Sequence, residues 1–431
     1  MKKIKFIDLF AGLGGTRIGF EQACIEHNLQ AKCVFTSEIK PYAVKIYEHN
    51  FSGDTVHGDI TEIKETEIPD FDFLLAGFPC QAFSNAGNRA GFDDARGTLF
   101  FDVARILKEK KPKGFLLENV EGLVSHDKEN SSSKIGNTLK TILNILEDLG
   151  YKVTWKVLDA KYFGIPQTRK RIYIAGSLYN DVSLDDFSEE KKLFNDIQEK
   201  GLPPLETKFT QKLLELYSPI ELGGKAIKDK RGGKNNIHSW DLELKGKLSV
   251  QQKELMSVLL RERRKKQWAE IKGIIWMDGM PLTLNEIHSF YAFISIDELK
   301  MLLDDMVSKK YLRYEHPKDL VSTSSGKKKR EYATHVEKGY NIVTGKLSFE
   351  LNKILGENCI APTIVATEAS RIGVIDNGKI RRMSERECLR FFGFPESYNS
   401  NIKHDELYDL IGNTVVTPVV KSVISRVLET I

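Results

Sequence analysis

Covalent cross-links can contribute little to this chain: its 431 residues include only five cysteines, Cys24, Cys33, Cys80, Cys359 and Cys388, scattered and with no Cys-x-x-Cys pair. A disulfide scaffold is thereby excluded, and a reducing compartment is expected. No apolar run approaches the ~20 residues needed to cross a bilayer, and Met1-Lys2-Lys3 leads into only a short apolar strand. Neither a membrane span nor a secretion signal is therefore expected, and the protein is placed in the cytoplasm. The pattern Gly-x-x-x-x-Gly-Lys-Ser/Thr is absent, which argues against a phosphate-gripping NTPase. A large excess of either charge is also missing, with 64 Lys+Arg against 60 Asp+Glu and a net charge of +4. The distribution says more than the total. Residues 225–272 hold 14 Lys/Arg against 6 Asp/Glu, and Lys327-Lys328-Lys329-Arg330 forms a second basic run, as suits a polyanion. Either run alone reads equally well as a solvated face.

What is present is enough chain for a sizeable core in two or three domains. Strand-like runs at 4–9, 33–36, 71–76, 114–117, 153–158 and 172–175 alternate with helical patterns at 16–26, 41–50, 99–110 and 135–149. Pro41 suits the first turn of its helix and Gly150 the stop of the last. This alternation predicts an α/β fold with a mostly parallel sheet covered on both faces, and ligands at the carboxyl ends of its strands. The pattern changes after Gly176, so a first domain is expected over 1–178 and a second over 179–371. Within the second, Thr283-Leu-Asn-Glu286 and Ser295-Ile-Asp-Glu298 read as capping boxes opening two helices. A strand at 311–314 and a flexible basic stretch at 322–330 follow, the order of a small winged-helix reader. The segment 372–431 returns to helix formers and is expected to complete the first domain.

The first chemical motif is Asp8-Leu9-Phe10-Ala11-Gly12-Leu13-Gly14-Gly15, a strand emptying through a glycine-rich turn into a helix. Glycines there let backbone amides approach a ligand, and the helix start adds partial positive charge. Glu38, after the second strand, is placed to accept from ribose hydroxyls, and Asp59, after the third strand-like piece, to accept from an adenine amine. Three contacts at three successive strand ends outweigh a plain tight turn.

Cys80 lies in Gly77-Phe78-Pro79-Cys80-Gln81, just past one apolar strand, and Glu118-Asn119-Val120 follows another. A soft nucleophile and a carboxyl at one sheet edge are what attack on a flat, electron-poor ring requires. Cytosine C5 is too weak a nucleophile to take a methyl group directly, but a thiolate adding at C6 pushes electron density onto it. Glu118, bonded to N3 and the exocyclic amine, then stabilises the charge that addition creates. A free thiol of pKa ~8.5 is mostly protonated at neutral pH. Arg169 and Arg171, in Gln167-Thr168-Arg169-Lys170-Arg171, are candidates for the field that favours its anion and for orienting the base.

In these residues the chain resembles the bacterial DNA (cytosine-5)-methyltransferases of restriction–modification systems. The segments 8–15, 77–84, 96–98, 118–120, 167–171, 386–388 and 412–415 occur in that family's order and spacing, across 1–176 and about 372–431. Thr414 replaces the usual serine and keeps its hydroxyl. The resemblance implies an S-adenosylmethionine-dependent methyltransferase fold with an inserted target-recognition domain. It implies S-adenosylmethionine as methyl donor, S-adenosylhomocysteine as product, and no metal. Cys80 is then the nucleophile, Glu118 contacts N3 and Arg169 supports a flipped cytosine. Phe10, Ala11, Gly12, Gly14, Gly15, Glu38, Ile39, Asp59, Ile60, Pro79, Leu99, Asn413 and Val415 hold the cofactor. Residues 81–96 resemble a mobile loop that closes over the base, with Gln81, Ser84 and Arg96 near DNA.

Ring stacking blocks C6 in a duplex, so the base must leave the helix at a cost of a few kcal/mol. Contacts elsewhere must offset that cost, and Arg261, Arg263, Arg264, Lys265, Lys266, Lys327, Lys328, Lys329 and Arg330 are available for them. Double-stranded DNA is the expected partner of a monomer associated with the nucleoid, paired functionally with a restriction endonuclease but not in a stable complex. An RNA cytosine-5 methyltransferase and a catalytically silent DNA-binding protein are the alternatives. A thiol enzyme of another kind is disfavoured, since Cys80 has no histidine close to it in sequence. An amino-methyltransferase is disfavoured by the missing Asp/Asn/Ser-Pro-Pro-Tyr/Phe stretch.

Overall fold

The computed structural model describes residues 1–78, 99–128, 133–230, 232–275, 279–322, 328–344 and 349–431. Pro79, Cys80, Gln81, Ser84, Arg96 and Lys327 lie outside the described residues, as does the side chain of Lys328. The chain divides into two compact units: Met1–Leu202, Glu357–Ser370 and Met383–Ile431 form the first, Pro203–Gly356 and Arg371–Arg382 the second.

The first unit is built on a seven-stranded sheet of order β3-β2-β1-β4-β5-β7-β6. Its strands are β1 (Lys2–Leu9), β2 (Leu29–Ser37), β3 (Val56–His57), β4 (Phe73–Gly77), β5 (Gly114–Val120), β6 (Lys152–Asp159) and β7 (Lys170–Ser177). The first five run parallel, while β7 is antiparallel to both β5 and β6. The helices α1 (Gly15–Glu26), α2 (Pro41–Asn50), α3 (Leu99–Lys110) and α4 (Asn137–Asp148) connect them within two residues of the expected limits. Strand side chains alternate between faces. Ile7, Leu9, Leu74, Ala76, Phe115 and Leu117 pack with Phe100, Val103, Ile106 and Leu107 of α3 and with Leu139, Ile142 and Leu146 of α4. The alternate positions meet α1, where Phe20 lies 4.6 Å from Phe6 and 4.9 Å from Phe73 between ring centres.

Two contacts fix how β1 passes into α1. Asp8 is fully buried and accepts a 2.8 Å hydrogen bond from the Thr16 hydroxyl. Burial pushes its carboxyl up to about 7, against the opposing pull of that bond and of Arg17. The closing helix, Thr417–Leu428, lies against α1 so closely that a Cβ on Gly19 would stand 2.6 Å from Cγ1 of Val420.

The boundaries differ from the expected 178 and 371. Residues 181–202 are held to the first unit by backbone bonds rather than by regular elements, as in Asn195 N–H to the Glu357 carbonyl and Phe194 N–H to the Cys359 carbonyl. The strands Ile372–Asp376 and Lys379–Arg382 belong instead to the second unit. They form a hairpin turned by Asn377 and Gly378, both at positive φ, and secured by a buried Arg381–Asp376 ion pair of 2.8 Å.

That hairpin edges a five-stranded sheet with Lys353–Leu355, Ala226–Ile227 and Asn236–Ile237, over a core including Phe209, Leu213, Leu351 and Ile380. The second unit also has a helical core of its own, from helices Val250–Glu262, Gln267–Lys272, Leu284–Phe290 and Ile296–Ser308. Thr283 and Glu286 form a full capping box; Ser295 accepts from the amide of Glu298. The strand Leu312–Glu315 pairs antiparallel with Gly339–Ile342, and Leu282 bridges to Tyr340. Between those strands the basic stretch expected to be a loop contributes a strand, Lys328–Tyr332, paired with Lys318–Ser322. With the short helix Gln267–Lys272 set aside, helix, bridge, two helices, strand, hairpin and strand is the winged-helix order, in which Ile296–Ser308 is the third helix.

The α1 contact leaves no room for a methyl group. Gly19→Ala is expected to lower stability by about 1–3 kcal/mol, read as a reduced thermal midpoint.

Candidate active site

Four strand ends converge at one edge of the first sheet. Leu9 ends β1 and opens the glycine turn, in which Phe10, Gly12 and Gly14 take positive φ of 58°, 53° and 73°. Glycine is required at 14 on two counts, because a Cβ there would also meet the Phe51 ring at 2.4 Å. Gly15, the first residue of α1, lies against Val415 and Thr414: a Cβ would come within 2.9 Å and 3.0 Å of their side chains. Val415 is buried and Asn413 is exposed, its side-chain amide donating to the Asp409 carbonyl.

The carboxylate of Glu38 organises this turn from β2. One oxygen accepts from the Gly12 amide at 2.8 Å and the other from the amides of Ile39 and Lys40 at 2.8 and 2.9 Å. Asp59 caps a short helical turn through the amide and hydroxyl of Thr61. Glu38, Ile39, Gly58 and Asp59 share a cleft of about 580 Å³ with Pro41, Val44 and Val56. Ile39 is 65% exposed beside it, although an apolar side chain gains from burial. The three residues Pro41, Val44 and Val56 were not assigned to a site from sequence; only their proximity to the strand ends could have marked them. Ile60 is buried in the core and Leu99 is half-buried at the start of α3.

Glu118 stands one strand over from Gly77. The two are paired in register on parallel β4 and β5, and a Cβ on Gly77 would lie 3.7 Å from a Glu118 carboxylate oxygen. The next residue on each strand is tied as well, since the Asn119 side-chain amide donates to the Phe78 carbonyl at 3.2 Å. That carbonyl precedes Cys80 by two residues in sequence. Glu118 is 8% exposed, and burial raises its carboxyl above the usual range while Arg171, then Arg169, oppose the rise. Nε of Arg171 lies 3.1 Å from the Glu118 carboxylate.

The two arginines expected together take different partners, although both act on the Glu118 carboxyl. Arg171 faces Glu118, whereas Arg169 is 2% exposed and donates to the carbonyls of Ile364, Gly412 and Thr414 at 3.2, 3.1 and 2.8 Å. Its guanidinium also lies 5.0 Å from the centre of the Phe392 ring. Gln167, fully buried, accepts from the Ile364 amide and donates to the Phe391 carbonyl, both at 3.0 Å. Through these bonds Arg169 clamps the returning segment.

In the second unit, Arg263 was expected at a nucleic-acid surface, yet it is 4% exposed and donates to Asn341 at 2.8 Å. It packs the helical core, because as the αR cap of the helix Val250–Glu262 it continues by helical spacing the buried stripe of Met256, Leu259 and Leu260. Arg261, Lys265 and Lys266 are exposed, with Lys265 paired to Glu262, and Arg264 is half-buried. Lys329 and Arg330 are exposed.

A family model described as C-5 cytosine-specific DNA methylase matches residues 4–429. Over all 431 residues, and over the full length of each relative, the chain is 54% identical to the type II methyltransferase M.NlaIV of Neisseria lactamica and 53% identical to M.NgoBV of Neisseria gonorrhoeae. It is 38% identical to M.BanI of Aneurinibacillus aneurinilyticus across 99% of this chain and 96% of that one. Among solved structures, the methyltransferase EhMeth of Entamoeba histolytica superposes with a TM-score of 0.55 at 15% identity, covering 100% of this chain and 99% of that one. The Dnmt2 methyltransferase of S. pombe also gives 0.55, at 18% identity over 99% and 98%. These structures share the α/β methyltransferase fold. With the match running through both units and every strand end described above, the chain belongs to the C-5 cytosine-specific DNA methylase family and is a DNA (cytosine-5)-methyltransferase.

Proposed function

We propose that the chain methylates C5 of a cytosine flipped out of double-stranded DNA, at one short sequence, through a covalent bond from Cys80 to C6. The observation that carries this reading is the register of Gly77 with Glu118. It puts a buried carboxyl beside the strand that leads, three residues later, to the thiol.

Addition of the Cys80 thiolate to C6 moves an electron pair toward C5. Glu118, whose burial favours the protonated carboxyl, donates to N3 and offsets the charge that addition places on the ring. The Arg171 guanidinium, 3.1 Å away, holds that carboxyl in place and adds positive potential. Once C5 carries its methyl group, a base removes the C5 proton, the C5–C6 double bond reforms and the thiolate leaves.

S-adenosylmethionine supplies the methyl group, and the cleft at the ends of β1, β2 and β3 has donor and acceptor groups that fit it. Glu38 is suited to ribose hydroxyls and Asp59 to the adenine amine, with exposed Ile39 against the purine face. The amides of the glycine turn, which contains Ala11, face the amino-acid end, while Leu99 borders the site. Asn413 and Val415 close it from the returning segment, held there by Arg169.

Extruding a base costs a few kcal/mol, which contacts elsewhere must supply. The second unit is read as the target-recognition domain, with Arg261, Arg264, Lys265, Lys266 and residues 327–330 toward phosphates. A paired restriction endonuclease cutting the same sequence fits the naming of the relatives as type II methyltransferases. Among the described residues no helix is long and apolar enough to cross a membrane.

Bisulfite sequencing of a mixed-sequence duplex incubated with the purified chain and S-adenosylmethionine is expected to show protected cytosines within one short motif. Absence of protected cytosines, or methyl incorporation into transfer RNA instead of duplex DNA, would overturn the reading. Glu118→Gln is expected to lower kcat about 10²- to 10⁴-fold while leaving duplex affinity within about twofold, measured by single-turnover methyl transfer and by binding.

A further inference from the structure

We propose that the hairpin Lys318–Ser322/Lys328–Tyr332 is a wing that lies against the sugar–phosphate backbone of duplex DNA, and that the third helix of the same winged-helix core, Ile296–Ser308, is not the reading element. This rests on the target-recognition reading of the second unit and names the surface that carries it. In many winged-helix proteins the third helix enters the major groove; the charge distribution here argues against that arrangement.

The hairpin register sorts the charges by face. Lys318 pairs with Tyr332 and Leu320 with Arg330, whereas Asp319 pairs with Glu331 and Val321 with Lys329. Directly opposed residues project to one side of a ribbon, and successive residues alternate. One face therefore presents Lys318, Arg330 and Tyr332, and both acids of the hairpin fall on the other. On that acidic face Asp319 is spent on the amides of Ile275 and Leu320, and Glu331 pairs with Lys329 at 3.3 Å. On the basic face the Lys318 ammonium lies 4.7 Å from the centre of the Tyr332 ring, and both residues are exposed, Tyr332 by 48%. Glu315, which accepts from the Tyr332 hydroxyl at 3.1 Å, marks the end of the strip. Two cations beside an exposed aromatic hydroxyl are suited to adjacent phosphates and a sugar edge.

The helix Ile296–Ser308 has the opposite character. It contains Asp297, Glu298, Asp304 and Asp305 against a single cation, Lys300. Lys300 is already paired with Asp304, and Lys309, just beyond the helix, with Asp305. Its exposed positions include Asp297, Lys300, Met301 and Asp304. Setting that surface among phosphates would bring uncompensated like charges together.

The test is duplex binding by the full-length chain, titrated with salt, for the wild type and three double variants. Lys318→Glu with Arg330→Glu is expected to bind roughly 10- to 100-fold more weakly at low salt. The slope of log affinity against log salt should fall by roughly 0.9 for each phosphate contact removed, about 1.8 for the pair. Lys318→Gln with Arg330→Gln should give a smaller loss in the same direction, at an unchanged thermal midpoint. Lys300→Glu with Met301→Glu on the helix should keep wild-type affinity and slope. The proposal is overturned if the hairpin variants bind like wild type, or if the helix variant loses affinity as they were expected to. A wild type that fails to bind duplex at any salt instead refutes the target-recognition reading itself.

Discussion

The buried guanidinium of Arg169 is the constraint on which the first unit turns. It lies just before β7 and takes three backbone carbonyls, from 364, 412 and 414, in a setting with almost no access to water. Carbonyls buried without donors would each cost on the order of 1–3 kcal/mol, so the arginine and the returning segment require one another. Gln167 repeats the arrangement one step earlier with Ile364 and Phe391. Because the closing segment is fixed in this way, Val415 and Thr414 can rest on Gly15 and the closing helix on Gly19. The glycine turn is thus supported from a part of the chain some four hundred residues away in sequence.

The same strand shows how a sheet separates structural from chemical tasks. Two residues past Arg169, Arg171 pairs with Val120 in the β5–β7 register and its side chain meets Glu118. Since β7 runs antiparallel to β5, its beginning lies beside the carboxyl end of β5, and it can bring a cation to the edge where the parallel strands finish. A fully parallel sheet would place that residue at the opposite edge. The buried carboxyl therefore meets a fixed cation at 3.1 Å, while desolvation still raises its pKa. A group in that balance holds its proton more tightly than a free carboxyl, which would suit bonding to a ring nitrogen.

Much of this was legible in the sequence, for identifiable reasons. The glycine turn, the parallel strands and their helices follow from short apolar runs, helical periodicity and the placement of Pro41 and Gly150, all local signals. The different partners of Arg169 and Arg171 were not legible, because both are arginines in one basic cluster and the carbonyls that Arg169 meets come from segments some two hundred residues away. Arg263 was misread because its place in a run of cations outweighed the helical spacing that sets it on the same face as Leu259 and Leu260. The hairpin Ile372–Asp376/Lys379–Arg382 had a readable signal in Asp376-Asn377-Gly378, a turn sequence that accommodates positive φ. It was overridden by the return of helix-forming residues soon afterwards. Residues 179–202 gave no regular pattern, since backbone bonds to distant segments hold them.

The proposed chemistry requires a carboxyl and a thiol to act on one ring. The most direct measurement uses duplex DNA with 5-fluorocytosine at the methylated position, where fluorine blocks the final proton loss and the thiol cannot be expelled. Incubated with S-adenosylmethionine, the protein is predicted to form a denaturant-stable complex whose peptide map places the DNA on Cys80, and Cys80→Ser to form none. A stable complex mapped to another residue, or undiminished methyl transfer by Cys80→Ser, would contradict the account.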